Sequence, residues 1–439
     1  MDRFDAIGNL AKRRGFFYPG SELYGGLSGT WDFGPLGVEL KRNIKNLFWK
    51  SMVYDRTDVV GLDAAILMHP RVWEASGHLE AFSDPLVECK KCHHRFRADQ
   101  LKKGKCPDCG GELTEPKKFN LLVESFLGVV EGEKTKTYLR GEITQGVHVN
   151  FKNVLDSSRV KIPFGIAQVG KAFRNEITPS QLVFRSREFE QMELQFYVKP
   201  EEKGSMEWFE FWKGERMKWY HSLGMNPKHL RFKEHGKDEL AHYARAAVDI
   251  EYDVEGEGWK EMEGVHHRGD WDLSRHSTFS GTDLSYFDEE DKKKYTPWVI
   301  ETSGGVDRVA LFLLMDAYHE EEVKGEKRVV LKLNPAVAPY KVAVFPLLAN
   351  KPALVKMAAD IRDSLKKEWM IAWDERGNIG KRYRTQDEIG TPYCITVDFD
   401  SLENPPAGGD VTVRDRDTME QERVPIKKLP EYLKKKFEK

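Results

Sequence analysis

The sequence lacks a strong charge bias and any long apolar run. Its 439 residues include 69 Lys and Arg and 71 Asp and Glu, which gives a net charge of -2. That balance excludes a highly basic, histone-like protein but allows a local basic face that binds nucleic acid. The longest apolar run, residues 309–315, is far shorter than the roughly 20 residues of a transmembrane helix. The first residues show no secretory signal. We therefore expect a cytoplasmic protein that does not contact a membrane.

Cysteine is also scarce, and its distribution argues against a disulfide framework. Four of the five cysteines fall within 21 residues, as the pairs Cys89/Cys92 and Cys106/Cys109. Disulfides typically staple small secreted domains, whereas two Cys-x-x-Cys turns present four thiolates to one tetrahedral zinc ion. The spacing predicts a structural zinc site in a reducing compartment. Cys394 stands alone in an apolar segment, and we expect it to be a packed core thiol.

The sequence contains no Walker A or dinucleotide-binding fingerprint, so any nucleotide is bound in another way. Strands are predicted at residues 164–173 and 190–198, and the first leads into Arg174 and Glu176. An arginine at such a strand end can hold a phosphate, and a carboxylate two residues on can accept from an exocyclic amine. Phe189 offers a flat surface to a base. Taken alone, this pattern is more typical of a surface salt-bridge ladder than of a nucleotide site.

A second segment favours an anion site. A predicted strand at residues 298–302 runs into Ser303-Gly304-Gly305, and an apolar helix follows. Paired glycines let a backbone approach a ligand closely. A helix N-terminus attracts anions, and Arg308 in the first turn adds a full positive charge.

The length predicts about three domains, and the pattern of elements divides the chain further. Strand and helix alternation near the C-terminus predicts a small α/β domain. Residues 40–52 carry an apolar stripe at helical spacing. We predict four regions: 1–85 as the N-terminal part of a catalytic domain, 86–118 as the zinc-binding insert, 119–335 as the catalytic core, and 336–439 as a separate C-terminal domain.

At these residues the sequence resembles the class II aminoacyl-tRNA synthetases. Phe173-Arg174-x-Glu176 followed by Arg185-x-x-x-Phe189 matches the second motif of that family. Gly304-Gly305-x-Asp307-Arg308 matches the third motif. The helix through residue 52, followed by a strand ending at residue 70, resembles the first motif, which builds the dimer interface in the family.

The resemblance narrows to the homodimeric glycyl-tRNA synthetases and covers essentially the whole chain. Residues 29–37 (Gly-Thr-Trp-Asp-Phe-Gly-Pro-Leu-Gly), 140–146 (Arg-Gly-Glu-Ile-Thr-Gln-Gly) and 381–392 resemble three signatures of that group. The resemblance implies an α+β fold, with an antiparallel sheet of six or seven strands flanked by helices, a small zinc insert and a C-terminal mixed α/β anticodon-binding domain. It also implies ATP-dependent attachment of glycine to the 3′ end of glycine tRNA through a glycyl-adenylate.

The resemblance further implies roles for individual residues, together with ATP, Mg²⁺ and structural Zn²⁺ as cofactors and glycine, glycine tRNA and a second copy of the chain as partners. The implied catalytic and ATP-binding residues are Arg174, Asn175, Glu176, Phe184, Arg185, Phe189, Glu261, Met262, Gly305 and Arg308. The implied glycine-binding residues are Arg97, Glu142, Phe189, Glu193, Arg268, Glu301, Ser303 and Gly305. Glu261 and Glu301 are candidate magnesium ligands, and Cys89, Cys92, Cys106 and Cys109 are the zinc ligands.

Three alternatives remain open from the sequence. The chain could be a non-catalytic synthetase-like binding subunit, or a synthetase for threonine, proline or histidine. Lys381, Arg382 and Arg384 could contact RNA phosphates or form salt bridges with Asp387 and Glu388. The pair His266-His267, which differs from the usual family sequence, is interpreted as ordinary loop histidines.

Overall fold

The structure is a computed structural model that describes residues 3–101, 104–130, 132–236, 240, 244–403 and 409–437. Parts of the predicted regions lie outside this range, namely residues 1, 2, 102, 103, 131, 237–239, 241–243, 404–408, 438 and 439. The described α-helices are α1 Arg3–Arg14, α2 Pro35–Trp49, α3 Arg71–Ala75, α4 His78–Ala81, α5 Thr144–His148, α6 Phe151–Ser158, α7 Glu202–Ser222, α8 Trp271–Ser280, α9 Val306–Ala317, α10 Pro352–Leu365, α11 Ile379–Ile389 and α12 Leu429–Phe437. Within this range, no helix is both long and apolar enough to cross a bilayer.

The strands form two larger sheets and several small ones. They are β1 Phe17–Pro19, β2 Trp31–Phe33, β3 Val59–Gly61, β4 Ser83–Glu88, β5 Arg95–Arg97, β6 Lys117–Asn120, β7 Val123–Leu127, β8 Thr135–Leu139, β9 Phe164–Phe173, β10 Glu188–Val198, β11 Leu230–Glu234, β12 Ala246–Val254, β13 Gly258–Gly269, β14 Tyr286–Asp288, β15 Lys293–Tyr295, β16 Trp298–Gly305, β17 Tyr318–Val323, β18 Glu326–Leu331, β19 Val342–Pro346, β20 Ile371–Trp373, β21 Tyr393–Val397, β22 Asp410–Asp415 and β23 Gln421–Pro425.

The central sheet has seven strands in the order β11-β12-β13-β16-β10-β9-β3. All neighbours are antiparallel except β3, which runs parallel to β9 at one edge. Successive residues of a strand face opposite sides of a sheet. On β10, Phe196 packs with α2, α7 and α9, whereas Tyr197 packs with α5, α6 and α8. The sheet is therefore covered by helices on both faces at this point, and the predicted antiparallel core is confirmed.

The segment after α2 differs from the prediction. The strand expected to end at Pro70 is only Val59–Gly61, after which the chain leaves the sheet. Pro70 instead caps α3, where its fixed φ and missing N–H suit a helix start. The helix predicted through residue 52 is correct in its apolar face, because Leu40, Ile44 and Phe48 are buried.

The C-terminal unit is built on a five-stranded sheet, ordered β20-β19-β21-β22-β23, with parallel strands at one side and antiparallel strands at the other. Helices α10 and α12 contribute to its apolar core. The predicted mixed α/β domain is confirmed. Cys394 on β21 is buried beside Phe345 and Ala372, so the predicted core thiol is also confirmed.

Candidate active site

A cavity of about 550 Å³ opens above the central sheet. All but one of the ATP- and glycine-binding residues that the resemblance implies line this cavity, although they come from segments that are far apart in the chain. Those that line it are Arg97, Glu142, Arg174, Glu176, Phe184, Arg185, Phe189, Glu193, Glu261, Met262, Arg268, Glu301, Ser303, Gly305 and Arg308. Asn175 is not in the lining, and its backbone N–H donates to the carbonyl of Leu121.

Strand periodicity explains how the central residues come together. Gln191, Glu193 and Gln195 alternate along β10 and share one face. On β16, Ser303 lies opposite Glu193 and Glu301 lies opposite Gln195. On β13, His266 lies opposite Glu301. The neighbouring strands β10, β16 and β13 thus present polar side chains to the same side of the sheet.

Glu193, Glu301 and Glu142 form an acidic cluster at the inner end of the cavity. Thr144 Oγ1 and Ser303 Oγ each donate to the Glu193 carboxylate at 2.7 Å. Arg268 Nη1 lies 3.1 Å from Glu301 Oε2, and a ring nitrogen of His266 lies 2.9 Å from Glu301 Oε1.

Burial and neighbouring charges give these three carboxyl groups different pKa values. Burial, together with the charges of Glu301 and Glu142, raises the pKa of Glu193 to about 8. Burial also acts to raise the pKa of Glu301, but Arg268 and His266 outweigh it and hold the pKa at about 2. His78 and Arg268 similarly hold the pKa of Glu142 at about 2 against burial. At neutral pH the cluster therefore carries two negative charges and one protonated carboxyl group.

Arg268 is held by buried acidic partners. Its Nε and Nη2 donate to the two oxygens of Asp272 at 2.7 and 2.9 Å. Asp272 itself is buried, and burial would raise its pKa, but Arg268 and His148 hold it well below its usual range. The guanidinium is thus fixed between Asp272 and Glu301, with its orientation set before any ligand binds.

The outer part of the cavity carries aromatic rings and cations. The guanidinium of Arg174 lies 5.3 Å from the ring centre of Phe189, and Arg174 Nε donates to the carbonyl of Gly141 at 3.1 Å. Arg308 lies 4.6 Å from the ring centre of Phe184 and pairs with exposed Glu261 at 3.2 Å. Arg308 lowers the pKa of Glu261.

Glu176 is a buried carboxylate with spare hydrogen-bonding capacity. Its side chain faces the cavity, and its nearest cation is Arg185, at 4.0 Å. The buried oxygen Oε2 accepts no hydrogen bond from the described residues. A buried acceptor of this kind suits a donor group on a ligand.

The histidine pair and the paired glycines differ from the predictions. His266 and His267 lie on β13, not in a loop, and His266 lines the cavity. Gly304 and Gly305 are still in β16, and α9 begins only at Val306. A Cβ on Gly304 would lie 2.7 Å from Glu263 Oε2, so this glycine is required by a buried protein contact rather than by ligand approach.

Sequence reasoning missed several residues that complete the site. Thr144, Gln191 and His266 contact the acidic cluster, and Lys41 forms a buried ion pair behind the cavity wall. Thr144 lies in the signature at residues 140–146, but its partner Glu193 is 49 positions away, and the partners of His266 and Lys41 are also distant in the sequence, so no local motif shows these contacts. The alternation of polar residues along β10 is the one signal that points to Gln191.

The four clustered cysteines lie beside the small sheet of β4, β5 and β6. Their four Sγ atoms are all within 4.8 Å of one another. His93 and His94 pair with Glu88 and Asp108 instead. Strand β5 ends at Arg97, which reaches the cavity and pairs with Asp84 at 2.8 Å.

Of the two alternatives for Arg382, contact with RNA phosphates does not fit the structure. This side chain is buried and donates to the backbone carbonyls of Pro346, Glu375 and Gly377. The predicted salt bridges within this helix are also absent from the described ion pairs, because Asp387 and Glu388 pair with arginines from other elements. A helix whose buried face is polar is not revealed by hydrophobic periodicity.

Comparison with known proteins agrees with this geometry. Residues 128–317 match the model of the tRNA synthetase class II core domain (G, H, P, S and T), and residues 341–436 match that of the anticodon binding domain. The chain therefore has the fold of a class II aminoacyl-tRNA synthetase.

Similar curated proteins cover nearly the full length. The chain is 50% identical to the glycine–tRNA ligase of Thermobifida fusca, over 98% of this chain and 97% of the relative. It is 52% identical to that of Treponema denticola, over 98% and 96%, and 49% identical to that of Bacillus cereus, over the whole of both chains. The chain belongs to the glycine–tRNA ligase family.

Proposed function

We propose that the cavity activates glycine with ATP and that the glycyl group then passes to the 3′ end of glycine tRNA. The observation that carries this proposal is the acidic cluster of Glu142, Glu193 and Glu301 in the lining of the cavity, with Arg268 fixed beside it. Glycine offers only an ammonium and a carboxylate, so recognition requires acidic groups for the first. A larger amino acid would press its side chain against these buried groups.

In this proposal the outer cavity holds ATP. Phe189 and Arg308 lie on either side of the adenine, and Glu176 accepts from its amino group through Oε2, to which none of the described residues donates. Arg174 and Arg185 hold the phosphates, because guanidinium groups match phosphate oxygens in charge and geometry. Phe184, Met262 and Gly305 complete the walls, whereas Asn175 acts through its backbone contact with Leu121.

Of the two candidate Mg²⁺ ligands, Glu261 is better placed than Glu301. Glu261 is exposed at the mouth of the cavity and can turn towards a phosphate-bound ion. Glu301 already accepts from Arg268, His266 and Gln195, so it suits the glycine ammonium better than a metal. Mg²⁺ bound with ATP would neutralise phosphate charge.

The proposed reaction has two steps. An oxygen of the glycine carboxylate attacks the α-phosphorus, a new oxygen–phosphorus bond forms, and the bond to the leaving pyrophosphate breaks. A hydroxyl of the terminal tRNA ribose then attacks the glycyl carbonyl, and AMP leaves. Arg174 and Arg308 stabilise the charge that develops on the phosphates, and the fixed acidic cluster positions glycine. No covalent enzyme intermediate is required.

The remaining parts of the proposal concern structure and assembly. The four cysteine sulfurs are close enough to share one zinc ion, and thiolates are the ligands that structural zinc prefers. Residues 1–85, 86–118, 119–335 and 336–439 are assigned as the N-terminal part of the catalytic domain, the zinc insert, the catalytic core and the anticodon-binding domain. The working form is a cytoplasmic homodimer.

The experiment is amino-acid-dependent ATP–pyrophosphate exchange, with glycine compared with alanine, serine, threonine, proline and histidine. We expect exchange with glycine alone. Arg174→Ala should lower the rate by roughly a hundredfold, because a charge-stabilising donor is lost. The matched control Arg376→Ala removes a nearly fully exposed arginine of the C-terminal unit and should leave exchange unchanged.

Two outcomes would contradict the proposal. Exchange with a different amino acid would retain the synthetase fold but refute the glycine pocket. Absence of exchange with every amino acid, from folded and zinc-loaded protein, would favour a non-catalytic binding subunit.

A further inference from the structure

Four consecutive residues at the end of α11, Asp387 to Gly390, lie where the C-terminal unit meets the catalytic part of the chain. We call them the 387–390 segment. They belong to the motif at residues 381–392, for which the proposed reaction supplies no role. Each of the four contacts an element of the catalytic part, or the connection that follows it.

Asp387 forms a buried bridge between the two units. Its Oδ2 accepts from Nε of Arg328, on β18 of the catalytic part, at 2.9 Å. Both oxygens also accept from Arg414, on β22 of the C-terminal unit, at 2.8 and 3.1 Å. The side chains of Asp387 and Arg328 are almost completely buried. Because two guanidinium groups share this buried carboxylate, it fixes both the distance and the relative orientation of β18 and β22.

Glu388 makes a second and more accessible bridge. Its Oε2 accepts from Arg14 Nε at 2.7 Å and from Arg13 Nη2 at 3.0 Å, both at the C-terminal end of α1. The side chain is one-fifth exposed. Because α1 also packs into the core of the catalytic part, this ion pair joins α11 directly to that core.

Ile389 and Gly390 complete the contact by packing. Ile389 is buried within the apolar core of the catalytic part rather than in that of the C-terminal unit. Gly390 has φ of +81°, and a Cβ there would lie 2.8 Å from Leu333 Cδ1. Arg416 donates to the carbonyls of both Gly390 and Leu333 at 2.8 Å.

We propose that the 387–390 segment sets the orientation of the C-terminal unit relative to the active-site cavity, so that one tRNA can reach both. This inference rests on the proposed function, because a tRNA that delivers its 3′ end to the cavity must also fit the anticodon-binding unit. Its residues are positioning residues and do not touch glycine or ATP. A loosened contact reduces the fraction of molecules with the competent orientation, which raises the apparent KM for tRNA in proportion.

The test uses Glu388, because its exposure makes misfolding of a variant less of a concern than at Asp387. Glu388→Gln removes one charge from the contact with Arg13 and Arg14. Glycine-dependent ATP–pyrophosphate exchange should stay unchanged, while the KM for tRNA in aminoacylation rises roughly fivefold. Glu388→Arg, which places a third positive charge beside those of Arg13 and Arg14, should raise it at least tenfold. The control Asp360→Asn breaks an exposed ion pair with Lys356 on α10, away from the contact, and should change neither activity.

The direction in which the KM for tRNA changes distinguishes a positioning role of Glu388 from direct contact with RNA. If Glu388 lay against RNA, removal of its negative charge would lower the KM for tRNA. The triple variant Glu388→Arg, Arg13→Glu and Arg14→Glu restores opposite charges across the contact and should recover most of the loss. An unchanged KM in Glu388→Arg, or an equal fall in exchange and aminoacylation, would overturn the proposal.

Calorimetry provides a readout that does not depend on activity. In Glu388→Arg the C-terminal unit should unfold as a separate transition at lower temperature, whereas the original protein and Asp360→Asn should keep the two units coupled. Absence of glycine-dependent exchange in the original protein would refute the proposed function, while the calorimetric difference would still support the role of the segment. Identical calorimetric profiles would count against the segment itself.

Discussion

At the scale of single residues, Lys41 links the two sides of the proposed ATP site. It extends from α2, is buried, and pairs with Asp307 and with Glu190 Oε2, the latter at 2.7 Å. Asp307 Oδ2 also accepts from the backbone N–H of Glu190 at 3.1 Å. These two carboxylates are the chain neighbours of Arg308 and Phe189. Burial acts to lower the pKa of Lys41, but the two carboxylates outweigh it and raise the pKa above its usual value.

We predict that Lys41→Met destabilises the protein by about 3 kcal/mol, because it removes the cation beside the buried carboxylate of Asp307 and leaves Glu190 paired with the partly exposed Lys45. The KM for ATP in pyrophosphate exchange should rise as well, since the residues beside Asp307 and Glu190 lose their support. Lys45→Met is the matched control, because Lys45 pairs with the same Glu190 but is one-third exposed. It should cost less than about 1 kcal/mol. Urea unfolding measures both, and equal losses in the two variants would refute this role of Lys41.

The sequence predicted most of the residues that line the cavity but few of the contacts that hold them. Arg174, Glu176 and Arg308 stand in local motifs, so they could be identified without a structure. Thr144 could not, because its hydrogen bond to Glu193 joins residues 49 positions apart. A motif records spacing along one element, whereas the geometry of a site depends on which elements become neighbours.

At the scale of elements, the sequence pattern predicted the helix and strands whose buried faces are apolar. It did not reveal the buried face of a helix when that face is polar. The apolar stripe of α2 and the strands β9 and β10 were predicted close to their observed bounds. On α11 the buried face carries Arg382, Gln386 and Asp387, which read as exposed residues in a sequence. From the sequence the helix could therefore be an RNA-binding surface, although Arg382 and Asp387 make their contacts inside the protein.

The small sheet of β4, β5 and β6 is the element whose stability should depend on a metal. We predict that Cys106→Ser abolishes binding of about one zinc ion per chain and exposes residues 88–117 to proteolysis, because a closed structural site needs all four ligands. Arg97 should then lose its position in the cavity, since β5 carries it there. Atomic absorption and limited proteolysis make the measurement. Cys394→Ser is the control, and loss of zinc in that variant would contradict the assignment of the four cysteines.

At the scale of the whole molecule, four large apolar side chains between residues 23 and 38 are exposed. Leu23 and Tyr24 are each 88% exposed, and Leu27 and Val38 are also exposed. Leu27 and Val38 line a cavity of about 520 Å³ beside α2, on the side of the chain that resembles the first motif. Exposed apolar side chains such as Leu27 and Val38, which share this cavity, are typical of a face that contacts another protein. In a homodimer built through α2, this face would be covered by the same face of the partner, because a two-fold interface is self-complementary.

We predict that Val38→Asp raises the dissociation constant of the proposed dimer about a hundredfold. A two-fold interface contains each residue twice, so the substitution buries two unpaired negative charges there. Sedimentation over a range of protein concentrations measures the change. Leu348→Asp places the same charge at an exposed apolar position of the C-terminal unit and should leave the dissociation constant unaltered. Because α2 also carries Lys41, the variant should lose pyrophosphate exchange in parallel with the dimer as the protein is diluted. An unchanged dissociation constant would show that this face does not form the dimer contact. Full exchange by the isolated monomer would show that assembly is not required to hold Lys41 and the cavity in place.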